Sequence, residues 1–231
     1  MVSPVTRSGK NRYPQAGRPA SDWQIRRRAV CRSTGHRVPA IDEDSPIAST
    51  PHAAPSETLA RDWLAGFVIG HDICPFAGRE VRRDAVRYAV SEGAEFERWL
   101  HELAQECQRL DADPEIATTL LIFPRGLEDF ETYLDLLALG ESLLTSLGYE
   151  GVYQLASFHP DYVFEGVGPD DPANFTNRSP EPMLHLLREA ELDKALAHYP
   201  DPEAIPERNM ALLRAPGSPA LAAALAADRR R

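Results

Sequence analysis

Ser157-Phe158-His159-Pro160-Asp161-Tyr162 ends a short apolar run with an imidazole and a carboxylate. An imidazole titrates near neutral pH, so His159 suits general acid/base chemistry, with Asp161 or an Asn to orient it. A nucleophile requires an activated group, and Cys74, in the turn Asp72-Ile73-Cys74-Pro75-Phe76, is the candidate. The loop Gly166 to Ser179 adds Asn174, Asn177, Arg178 and Ser179, a set that could hold an anion. Pro180 and Pro182 remove two amide donors from the following segment, so such an anion would lean on the side chains. His185 and Glu189 lie four residues apart and would share a helix face. With His159 and the loop acids they could ligate a divalent Zn, Mn or Fe, although the spacing matches no tight metal signature.

Each candidate has a plainer reading. Cys74 between Ile73 and Phe76 could be apolar filler. His159 could close the strand end while the loop Asp and Asn residues bond to backbone. Arg178 could pair with Asp170 or Asp171 and pin the loop. Cys107 falls on an apolar helical stripe and reads as core. No glycine-rich phosphate loop is present, which argues against nucleotide binding.

The elements that would position these groups follow from periodicity. Ser56 reads as an N-cap, followed by Leu59, Trp63, Phe67 and Val68 at helical spacing as far as Gly70. Val86, Tyr88 and Val90 alternate in a strand over 84–90. Phe96, Leu100, Leu103, Cys107 and Leu110 form a second helical stripe. Thr118 to Phe123 is a continuous apolar run, read as a buried strand. Asp129 caps a helix that Gly148 stops. Val152 to Phe158 gives a third strand. The order β-α-β-α-β predicts an α/β fold with a small three-stranded, mainly parallel sheet. Helices near 181–189, 191–199 and 206–214 would form a helical C-terminal part, with 217–231 as an Ala/Arg-rich tail.

The chain has 231 residues and a formal net charge of -10. Residues 1–40 hold nine Lys/Arg and one acid, whereas 41–231 hold 16 Lys/Arg and 34 acids. Residues 1–55 are rich in Pro, Ser and Arg and read as a disordered basic extension ahead of a single domain at 56–216. The acidic body opposes nucleic acid and anionic lipid. Three cysteines (Cys31, Cys74 and Cys107) make no disulfide framework and fit a reducing, cytoplasmic setting. No apolar run is long enough to span a membrane.

Ile73-Cys74-Pro75-Phe76, Ala156 to Tyr162, Asn174 to Pro180 and Leu184-His185-Leu186-Leu187-Arg188-Glu189 together resemble a bacterial family of uncharacterised proteins, domain of unknown function number 1415. The resemblance covers roughly residues 56 to 216. It implies domain limits and a bacterial cytoplasmic source, and it implies no activity, cofactor or substrate.

Two functions remain in competition. One is a small-molecule enzyme of hydrolase or transferase type, acting on a polar or anionic metabolite around His159 and the 165–179 loop. The other is a non-catalytic binding or adaptor module whose polar cluster is a structural network. Groups that converge on an open pocket favour the first; groups that interlock with one another favour the second.

Overall fold

The computed structural model describes residues 55–228. The expected disordered extension at 1–55, with Cys31, lies outside them except for Pro55. Seven α-helices and four strands are present among the described residues. Helix α1 (Pro55–Trp63) runs on into a π-helical segment, Leu64–Ile69, and α2 (Ala77–Arg82) precedes strand β1 (Val86–Val90). Helix α3 (Phe96–Ala112), β2 (Thr118–Ile122), α4 (Phe130–Ser146) and β3 (Tyr153–Phe158) follow. After a 3-10 turn (Pro172–Thr176) come β4 (Met183–Arg188), α5 (Glu189–Ala197), α6 (Ile205–Arg214) and α7 (Pro219–Asp228). The 217–231 stretch, expected as a tail, thus carries a helix that buries Ala220 and Ala224.

The α/β class holds, but the sheet differs from expectation. It has four strands in the order β1-β2-β4-β3. β1 and β2 are parallel, and β4 pairs antiparallel with both β2 and β3. The first three strands therefore point one way, but β4 separates β3 from β2. The expected helix at 181–189 is this strand. Met183, Leu186, Leu187 and Ala190 fall on a helical stripe, yet a central strand covered on both faces also reads as a near-continuous apolar run. Periodicity cannot separate the two over six residues. Packing decides, because β2 is buried at all five positions and needs an apolar neighbour on its second edge.

Side chains alternate across the sheet. Ala89, Leu121, Leu184, Leu186 and Leu155 face α3 and α4, in a core that includes Trp99, Leu103, Tyr133 and Leu136. Leu120, Ile122 and Met183 face the opposite way, against Trp63, Phe67 and Leu213. Gly140 lets α4 approach this closely: a Cβ there would come 3.0 Å from Leu103 and 3.1 Å from Leu155. No helix among the described residues is long and apolar enough to cross a membrane.

Candidate functional site

His159 stands just past β3 and has 0% exposure. Its Nδ1 accepts the Asp161 amide N–H at 3.0 Å, so Nε2 carries the proton and donates to Leu127 O at 2.9 Å. The ring also packs against Phe130 and Tyr133, with centroids 5.0 and 5.1 Å away. The group that fixes the tautomer is thus the Asp161 backbone amide. The Asp161 residue is exposed.

The loop residues interlock in the same manner. Asn174 has 0% exposure; its Nδ2 donates to Gly168 O and Pro169 O, and its Oδ1 accepts the Phe164 N–H. Asn177 Nδ2 donates to Ser157 O, while its carbonyl accepts the His159 N–H. Arg178 donates to Tyr162 O and Pro169 O and lies over the Phe175 ring, 4.7 Å from its centroid. Ser179 Oγ donates to Glu181 O at 2.6 Å. Asp171, one expected partner of Arg178, instead receives a two-pronged pair from Arg214 at 2.9 and 2.8 Å. That pair holds the Asp171 carboxyl below its usual pKa and ties the loop to α6.

Cys74 lies elsewhere. It packs against the α1-side core, whereas the rings around His159 include Tyr133 of the α3/α4 core on the other face of the sheet. Burial pushes the Cys74 thiol pKa up, partly offset by the Phe76 and Ala77 amides, with Asp72 adding to the rise. A nucleophilic cysteine needs the opposite shift.

His185 and Glu189 do not share a helix face, because His185 belongs to β4 and Glu189 begins α5. Thr118 Oγ1 donates to Leu186 O and so accepts from His185 Nε2 at 2.6 Å. Burial holds the His185 pKa down at about 4. No group of three or more His, Cys, Asp or Glu fit to hold a metal comes together among the described residues.

His185 sets a pH dependence. The folded ring stays neutral down to about pH 4, whereas the unfolded chain takes up a proton below its ordinary value of 6.5. Between those values the unfolded state binds more protons, so stability is complete above the higher value and is lost as pH falls toward the lower. The loss should be on the order of 2–3 kcal/mol. Urea unfolding at neutral and acidic pH should show it, and His185→Gln should flatten the slope. An unchanged slope would refute the assignment.

Sequence reasoning missed three residues that complete the network. Trp63 Nε1 donates to Arg178 O, fastening α1 to the loop. Tyr133 OH donates to Met183 O at 2.7 Å and accepts the Phe158 N–H, bracing β4 and β3 together. Glu181 takes a hydrogen bond from Ser56 on one oxygen, its other oxygen is buried without a partner, and burial raises its pKa. Only Glu181 carried a signal, an acid held between two prolines. A cleft of about 260 Å³ lies between α1, the π segment and α7, lined by Leu59, Asp62, Trp63, Phe67, Pro180 and Ala223. None of the residues nominated as catalytic, anion-binding or metal-ligating lines it.

The fold and site define a mixed α/β domain in which one long inter-strand loop is locked to the sheet by polar side chains. The chain belongs to the family described as protein of unknown function DUF1415, whose model matches residues 56–223. No curated protein matches the chain. No solved structure matches it either.

Proposed function

We propose that the protein is a non-catalytic binding or adaptor module, and that the polar cluster of residues 159–189 is the structural network that fastens the long loop to the sheet. One observation carries this reading: His159, the group best suited to acid/base work, is fully buried with both ring nitrogens hydrogen-bonded inside the protein. A general acid or base must come within hydrogen-bond reach of substrate. Arg178 likewise spends Nε and Nη2 on backbone carbonyls rather than offering a free fork to an anion. The acidic body favours a protein partner over nucleic acid. The sparse cysteines support a reducing, cytoplasmic setting.

Acylation of histidines by diethylpyrocarbonate tests the reading. The exposed His101 and His198 should react in the folded protein, and His159 should react only on unfolding. Modification of His159 at the rate of His101 would restore the enzyme reading, a hydrolase or transferase acting on a small anionic metabolite.

A further inference from the structure

Residues 126–177 contain ten Asp/Glu and no Lys or Arg. The run comprises α4, the edge strand β3 and most of the following loop. Three of the four large hydrophobic residues most exposed among the described residues fall within it: Leu139 at 43%, Leu147 at 47% and Val152 at 44%. Glu131, Asp135, Leu139, Leu143 and Leu147 follow one another at four-residue spacing, so they form a single ridge, acidic at its start and apolar at its end. Val152 flanks the turn that follows Leu147. Such a surface fits a segment that is both cationic and apolar.

We propose that this ridge docks the chain's own residues 1–40. That segment carries nine Lys/Arg against one acid. Within it Trp23 and Ile25 directly precede Arg26-Arg27-Arg28. The apolar pair fits the leucines, and the arginines fit Glu131 and Asp135. The reach suffices: α1 and α4 cover opposite faces of the sheet, and the 27 residues from Arg28 to Pro55 span up to about 90 Å when extended, against about 60 Å around half of a domain of this size. Tethering supplies an effective concentration of about millimolar order, which makes weak contacts sufficient. The docking does not depend on whether the 159–189 cluster is structural.

Zero-length carbodiimide coupling of the full chain tests it, since Lys10 and Lys194 are the only lysines. At low salt, Lys10 should form amides chiefly with Glu131, Asp135, Glu141 or Glu150 within one molecule. Yield should fall about fivefold or more in about 0.5 M salt, where screening is short-ranged, and equally in the variant R26E/R27E/R28E. The double variant L139S/L147S, which changes only exposed positions, should lose yield at low salt with an unchanged circular dichroism spectrum. Lys10 products spread equally over Glu57, Glu97 and Glu207, or no Lys10 product on the ridge, would overturn the proposal. Products that join two molecules at the ridge would reassign the surface to contact between copies and overturn it as well.

Discussion

Replacing Arg188 by methionine is expected to destabilise the protein by about 3 kcal/mol, with the denaturant slope unchanged. Arg188 ends β4, and its guanidinium reaches beneath the C-terminal end of α3. There it donates to the carbonyls of Leu110, Asp113 and Ile116, the last from both Nε and Nη2. These are the carbonyls that a helix end and its following turn leave without partners, at the negative end of the helix dipole. Nη1 reaches the Tyr153 hydroxyl, which with Tyr149 donates to the two oxygens of Asp111 at 2.6 Å each. Those bonds push the Tyr149 pKa up to about 12 and the Tyr153 pKa up as well, with burial leading at Tyr153. Methionine keeps the apolar stem but leaves the carbonyls unpaired. Urea unfolding of the variant measures the cost, and a loss below about 1 kcal/mol would show that water replaces the guanidinium without penalty.

Asn174→Asp is the second large effect. The change is nearly isosteric, so it leaves packing intact and reverses polarity. The Nδ2 that donates to Gly168 O and Pro169 O becomes an oxygen facing two oxygens at a position with 0% exposure. The expected cost is about 3–4 kcal/mol near neutral pH, exceeding that of Asn174→Ala, because a buried charge loses water and meets repulsion. Hydrogen exchange should show the Phe164 amide losing protection while β2 amides keep theirs. A substrate-binding role for Asn174 would instead leave stability unchanged, and equal melting points for wild type and variant would remove the structural reading.

The sequence carried the fold at the strand and helix level where periodicity was long or punctuated. The stripes over α3 and α4 are long, and Asp129 caps α4 by accepting the Thr132 N–H, as its position suggested. β4 was illegible for a physical reason: six residues whose four apolar side chains lie on both faces satisfy two periods at once. Its placement depends on the unpaired edge of β2, which no local pattern records. The site was legible as a set of residues and illegible as an arrangement. His159, Asn174, Asn177, Arg178 and Ser179 do converge, but mainly onto backbone carbonyls and amides, which every residue carries and no sequence displays. Cys74 and His159 fall on opposite sides of a sheet whose strand order was not deducible.

That strand order also has a consequence in time. β4 lies between strands made earlier in the chain, so Thr118 of β2 waits for Leu187 and Phe158 of β3 waits for Met183. During synthesis the middle of the sheet stays empty for several seconds at about 5–20 residues per second, with β3 and one edge of β2 unpaired. Assembly of the whole domain is thus gated by a six-residue segment, and a ribosome that stalls before residue 183 leaves an aggregation-prone intermediate.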